Sequence, residues 1–316
     1  MTMSKKLTLE YSIEDIVDFH QSPASAIDKT LRAHEDIQER FPEVEISLLP
    51  FARIKSVFTG GRCPKFSQER FLGIAQELNR VKIGCMMVLN GGLLVPKDTT
   101  LSWKDPQMEN IKEALDTLAS SKVDNAVTLY HDSLLDAVDE RYPDLKKTAS
   151  CIRFVGGKKG EFQTESGNDE YDRTFADKRF SNVVPLNQHT TYEFLQKFKG
   201  EADRIMAFLK LHCSGTDLYN CYMHYCYTER EKFGIDREGI IERQEFVSIK
   251  SQIKESVVSP CVGGYLSSRD RDLKDLINMG VNKYKLSNES MAGKTTNFRT
   301  SEIETLLDEI TLYGKF

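Results

Sequence analysis

The chain has 316 residues, 40% of them hydrophobic and 9% aromatic, enough for a sizeable core, and a formal net charge of -5. Charges of both signs run throughout, which speaks against a dedicated nucleic-acid binder while leaving small RNA contacts open. No apolar run reaches about 18 residues, and MTMSKKLTLEYS has no long apolar region behind its lysines, so we expect no membrane span, no secretory leader and a cytoplasmic location.

Residues 1–42 read as a helical extension, with Ile13, Ile16, Phe19, Ala26, Ile27, Leu31 and Ile37 recurring mostly at three- and four-residue spacing until Pro42. From there to residue 316, short apolar segments alternate with longer amphipathic ones. The strand candidates are Glu45–Phe51, Lys82–Asn90, Asp124–Tyr130, Thr148–Phe154, Ser181–Leu186, Arg204–Lys210, Ser256–Pro260 and Asn282–Ser287, eight in all. FSQERFLGIAQELNR starts at Ser67 and puts Phe71, Ile74, Ala75 and Leu78 on one face. DPQMENIKEALDTLAS and DSLLDAVDERYP repeat the pattern, TTYEFLQKF precedes the sixth candidate strand, and SSRDRDLKDLINMG ends in a glycine suited to a helix C-terminus. SEIETLLDEITLYG closes the chain. Strands alternating with helices predict parallel pairing through right-handed crossovers, and eight units predict a (β/α)8 TIM-like barrel, as a single domain over 43–316.

In such a barrel the chemistry sits where strands hand over to the following loops. Seven cysteines at irregular spacing do not look like an extracellular disulfide framework. Cys85 and Cys151 fall within strands and read as packing. Cys63 follows the first candidate strand, Cys213, Cys221 and Cys226 follow the sixth, and Cys261 follows the seventh, so five thiols have a route to one rim. Three of them lie in LHCSGTDLYNCYMHYCY, Leu211 to Tyr227. Four thiolates suit an iron-sulfur cluster or tetrahedral zinc, and His212 or His224 in place of one gives a three-cysteine, one-histidine zinc site. Seven residues separate Cys213 from Cys221 and four separate Cys221 from Cys226, a spacing that does not choose between these. The plainer alternative is an aromatic helix face of Tyr219, Tyr222, Met223, Tyr225 and Tyr227 with incidental thiols.

Asn90, His131, Arg153, Asn187 and Lys285 fall at or near strand ends. Arg153 and Lys285 there favour an anionic substrate, as does Arg62 beside Cys63, and His131, opening a helix with Asp132 and Ser133 as caps, is a candidate acid or base. Each also fits an ordinary loop or layer residue. TGGRCPK lacks the lysine-serine ending of a phosphate loop, and GGKKG lacks a clear following helix.

Several pieces together resemble the collagenase-like U32 peptidase family: CMMVLNGG, YPDLKKTASCIRF, SNVVPLNQHTTYEFLQKFKG, LKLHCSGTDLYNCYMHYC and SSRDRDLKDLINMGVNKYKLSNES, in that order over about residues 45–290. The resemblance implies a (β/α)8 barrel and, in many members, a [4Fe-4S] cluster. Here Cys63, Cys213, Cys221 and Cys226 would be its ligands, with Cys261 as a substitute. Some members resemble oxygen-independent hydroxylation proteins, and peptidase activity is the older label. The terminal strand departs from the family pattern, reading KYKLSNES where a glycine-arginine pair is usual. The expectation is an iron-sulfur-dependent enzyme modifying an anionic or aromatic substrate in the barrel mouth, with Arg62, His131, Arg153 and Lys285 as catalytic candidates. Two alternatives stand beside it: a zinc-dependent hydrolase on the same barrel, or a non-catalytic subunit of a complex with a partner protein.

Overall fold

A computed structural model describes residues 5–12, 22–56, 58–59, 66–90, 100–154, 166–186, 190–208 and 266–285. In chain order these form β1 (Lys5–Ser12), α1 (Pro23–Arg40), β2 (Val44–Ala52), α2 (Gln68–Arg80), β3 (Met86–Leu89), α3 (Pro106–Ser120), β4 (Ala126–Leu129), α4 (Asp132–Arg141) and β5 (Lys146–Ala149). There follow α5 (Ser166–Ala176), β6 (Phe180–Val183), α6 (Tyr192–Leu195), β7 (Met206–Phe208), α7 (Leu266–Met279) and β8 (Lys283–Lys285), with 3-10 turns at Cys151–Phe154 and Gln196–Arg204. The eight strands pair in the order β6-β5-β4-β3-β2-β1-β8-β7, every pairing parallel. An isolated parallel bridge between Val183 and Ile205 draws the two edges together, so the sheet is a nearly closed barrel with flanking helices.

The barrel class expected from the sequence is observed, and Ala26, Ile27, Leu31 and Ile37 fall on the helix α1, but residues 5–12 of the expected helical extension are a strand. KKLTLEYS is β1, inserted between β2 and β8. The reason is period-two alternation: Leu7, Leu9 and Tyr11 are buried toward the helices, and the Tyr11 hydroxyl donates to Thr30 Oγ1 on α1 at 2.9 Å. Ile13, Ile16 and Phe19 lie outside the described residues. Every candidate strand before Ser256 therefore moves up one place in the barrel. Ser256–Pro260 also lies outside the described residues, which by themselves supply eight paired strands.

Two separate apolar layers follow from the alternation. The larger lies between sheet and helices and includes Ile46 and Leu48 of β2, Met87 and Leu89 of β3, and the Phe71–Leu78 face of α2. Burial of side chains such as Phe71, Ile74 and Leu78 stabilises by about 1.5–3 kcal/mol each. The smaller layer is inside the barrel: Phe51, Met86, Val88 and Ala126, with Leu49 packed against them.

Local chemistry fixes the element ends. Ser67 caps α2 by accepting from the Arg70 N–H at 3.3 Å. Gly280, at φ +105°, ends α7 with its own N–H on Ile277 O and the Val281 N–H on Leu276 O, the paired closure that a left-handed residue allows. Between β3 and β4 the backbones approach closely enough that a Cβ on Gly84 would lie 2.3 Å from Asp124 O. Asn125 ties that crossing: its Oδ1 accepts from Cys85 N at 2.7 Å and Asn79 Nδ2 at 3.0 Å, while its Nδ2 donates to Leu118 O at 2.8 Å and Asn79 Oδ1 at 2.7 Å.

Candidate active site at the C-terminal mouth

Because all eight strands are parallel, their C-terminal ends share one rim. The residues that converge toward it are Glu10 from β1, Phe51 from β2 with Arg53 just beyond, and Lys285 from β8. Register places Glu10 opposite both Leu49 and Lys285, on the inward face that Leu49 and Phe51 share. The Lys285 ammonium makes an ion pair with Glu10 Oε1 and lies 4.2 Å from the centre of the Phe51 ring. The Arg53 guanidinium stands 5.0 Å from the same ring.

This pair is secluded: the Glu10 side chain has no exposure and that of Lys285 only 15%. Burial draws the Lys285 amine down from its ordinary value to about 7. Glu10 Oε2 takes no hydrogen bond from any described residue, which leaves a buried acceptor beside the amine. The result is a carboxylate and an amine, close enough to exchange a proton, walled by an aromatic ring and approached by a second cation.

One layer deeper, Lys283 is also inward, and its Nζ donates to Asn182 Oδ1 at 2.7 Å. Asn182 Nδ2 in turn donates to Thr148 Oγ1 at 3.2 Å, and Thr128 Oγ1 reaches Met86 Sδ at 3.1 Å. Desolvation lowers the Lys283 amine as well. The barrel interior is thus polar along β8, β6, β5 and β4, and apolar at β2 and β3.

The other sequence candidates are distributed differently. His131 is the N-cap residue of α4 itself, where the sequence suggested Asp132 and Ser133 as caps; it is 1% exposed, with its ring edge-on to Tyr130 at 4.6 Å. Arg153 lies in the 3-10 turn after β5 and is buried, where the sequence placed it at a strand end facing the mouth. Its Nη1 donates to Tyr130 O at 2.6 Å, its Nη2 to Asp132 Oδ1 at 2.6 Å and Glu170 Oε1 at 3.1 Å, and its guanidinium covers the Phe180 ring at 5.1 Å. The fork is engaged in joining β4, α4 and α5. Asn90 directly follows β3. Cys85 is wholly buried, its thiol pushed up to about 12 by desolvation, and Cys151 is partly buried against the core.

Arg62, Cys63, Asn187, His212, Cys213, Cys221, His224, Cys226 and Cys261 lie outside the described residues. Among the described residues no group of three metal-binding side chains occurs, and no helix is long and apolar enough to cross a membrane. What the fold does give is chain position: Cys63 and Arg62 belong to the connection from β2 to α2, and Cys213, Cys221, Cys226 and Cys261 all belong to that from β7 to α7. Both connections leave the C-terminal rim.

Glu10, Phe51 and Arg53 were not among the sequence candidates. The signal for Glu10 was present in KKLTLEYS, where Thr8 and Glu10 alternate with Leu7, Leu9 and Tyr11.

No known protein family matches this chain, and no curated protein does either. Among solved structures it is similar to the U32 peptidase Mk0906, at 10% identity and a TM-score of 0.50, over 92% of this chain and 96% of that one. It also aligns with the 7,8-dihydropteroate synthase of Vibrio fischeri ES114, at 9% identity and a TM-score of 0.42 over 99% and 93% of the two chains. A dihydropteroate synthase from Coxiella burnetii aligns at 12% identity and a TM-score of 0.39, over 99% and 95%. At these identities the likeness to Mk0906 extends to the fold alone.

Proposed function

We propose that this chain is an enzyme that binds a small anionic or aromatic substrate at the C-terminal mouth of its barrel and modifies it there. The observation that carries this is the buried Glu10–Lys285 pair, held against Phe51 at the end of the barrel where this fold places its chemistry. An ion pair removed from water gains little stability over apolar side chains of the same volume, so its presence at this end is better accounted for by a task than by folding. Lys285 and Glu10 exchange a proton with the substrate, Phe51 packs on its apolar part, and Arg53 balances its negative charge.

Cys63, Cys213, Cys221 and Cys226 would hold a [4Fe-4S] cluster, which would supply electron transfer for a modification such as hydroxylation. In support, both chain segments that carry these cysteines leave the same rim as Lys285. A zinc ion on two or three of the cysteines with His212 or His224 would instead supply an activated water for hydrolysis. Cys261 belongs to the same β7–α7 connection and is the substitute thiol.

Two measurements test these proposals. Calorimetric titration with benzoate and oxalate should show binding that is lost in Lys285→Met and Arg53→Met and kept in Glu10→Gln; absence of binding to the wild type overturns the mouth as an anion site. Iron, sulfide and zinc analysis after anaerobic purification, on wild type and Cys221→Ala, decides the metal. Stoichiometric iron and sulfide lost in the variant supports the cluster, and colourless protein with stoichiometric zinc overturns it.

A further inference from the structure

Resting on the mouth as substrate site, the geometry points to a covalent role for Lys285: its Nζ forms an imine with the carbonyl carbon of a small 2-oxo acid, with Glu10 moving the protons. Three observations converge. Lys285 lies at the end of β8 on the inward face, so its amine meets whatever enters the mouth without a loop having to deliver it. The amine stands between a carboxylate that can take its proton and an aromatic ring, and burial away from water favours its neutral, nucleophilic form, the same desolvation that activates lysines for attack on carbonyls. Glu10 Oε1 lies at the nitrogen itself, and Oε2, buried and taking no hydrogen bond from a described residue, is a second acceptor on the same carboxylate.

Among the described residues, the charged and titratable groups around the amine are Glu10 from β1, Arg53 beyond β2 and, one inward position down β8, Lys283. Arg53 supplies a positive charge for the carboxylate of a 2-oxo acid, and the Phe51 ring, approached by both cations, offers an apolar surface. A 2-oxo acid thus matches the set: a carbonyl for Lys285, a carboxylate for Arg53 and a short apolar remainder for Phe51.

The step balances without an oxidant or reductant. The Lys285 ammonium first hands one proton to the Glu10 carboxylate, which frees the Nζ lone pair. That lone pair adds to the carbonyl carbon, the carbon-oxygen π bond opens, and Glu10 protonates the oxygen while taking a proton from the nitrogen, giving a carbinolamine with Glu10 still protonated. The nitrogen lone pair then expels the hydroxyl, which takes the Glu10 proton and leaves as water. A protonated carbon-nitrogen double bond remains on Lys285 and Glu10 is again a carboxylate. Ammonium and carbonyl compound become iminium and water.

The test is reductive trapping of the full-length wild type with pyruvate and sodium cyanoborohydride at pH 7, read by intact mass and peptide mapping. Labelling should concentrate on Lys285, exceeding that of exposed lysines by on the order of a hundredfold, because an amine of ordinary pKa is almost wholly protonated there. Glu10→Gln should retain the adduct at a reduced rate, and Lys285→Arg should lose it. Labelling spread over surface lysines in the wild type overturns the covalent role, and this holds whether or not the variants fold. Oxalate, which cannot form an imine, separates this from the underlying proposal. Oxalate binding without a pyruvate adduct overturns the imine alone, and absence of both overturns the mouth as an anion site as well.

Discussion

Glu10 on β1 and Lys285 on β8 occupy paired positions of neighbouring parallel strands, and their charged groups meet inside the barrel. Removing one partner leaves the other buried and uncompensated, whereas removing both leaves an apolar site beside Phe51. We expect Lys285→Met to destabilise by about 3–5 kcal/mol and the double variant Glu10→Met, Lys285→Met to recover most of that loss. Urea midpoints of the wild type, both single variants and the double variant check this. Additive losses would show that the pair is not energetically coupled.

The same pair gives stability a pH dependence whose sign is fixed by burial. The Lys285 amine titrates near about 7 in the folded chain and near its ordinary value of 10.5 when unfolded. Between those limits the unfolded chain binds the extra proton, so unfolding free energy rises with pH across that window. Among the described residues Glu10, Arg53 and Lys283 are the charged groups around it, and Lys283 adds a contribution of the same sign, since desolvation lowers its amine too. The urea midpoint should therefore increase more steeply from pH 7 to 9.5 in the wild type than in Lys285→Met. Equal slopes would place the titration elsewhere.

Asn125 should be intolerant of truncation for a reason unrelated to charge. Its amide satisfies the Cys85 N–H and the Leu118 carbonyl and pairs twice with Asn79, at the point where Gly84 lets β3 and β4 approach. Asn125→Ala leaves the buried groups unpaired, at roughly 1–3 kcal/mol each. A fall in urea midpoint with unchanged slope is the expected result, and Asn79→Ala, on the partly buried partner, should cost less.

The helical half of the fold was the more legible one. In α2, α3 and α4 every apolar position read from the 3.6-residue period is buried, because the face toward the sheet is wide and continuous. β1 was missed because its eight residues precede a stretch with helical spacing and half of its face is polar: Thr8 and Glu10 look toward the barrel interior, where polar side chains are paired with partners remote in sequence. The candidate site divides the same way. Lys285 was legible as a cation at a strand end, but its partner Glu10 is brought to it only by closure of the barrel, which no local pattern in LTLEYS records. Arg53 was hidden for another reason, since it follows an apolar strand and reads as a loop residue.

Arg153 was read as a substrate-binding cation, and its contacts assign it to structure. A guanidinium only 4% exposed is shared among the Tyr130 carbonyl, Asp132 and Glu170, and covers Phe180, so it links β4, α4, α5 and β6. A lysine there retains the charge but not the planar fork that reaches three acceptors at once. Arg153→Lys, which leaves buried acceptors unpaired, and Arg153→Met, which also leaves Glu170 without its buried cation, should each lose about 2–4 kcal/mol. Oxalate affinity, measured where both variants remain folded, should stay at the wild-type value. Unchanged stability with lost oxalate binding would instead return Arg153 to the substrate site.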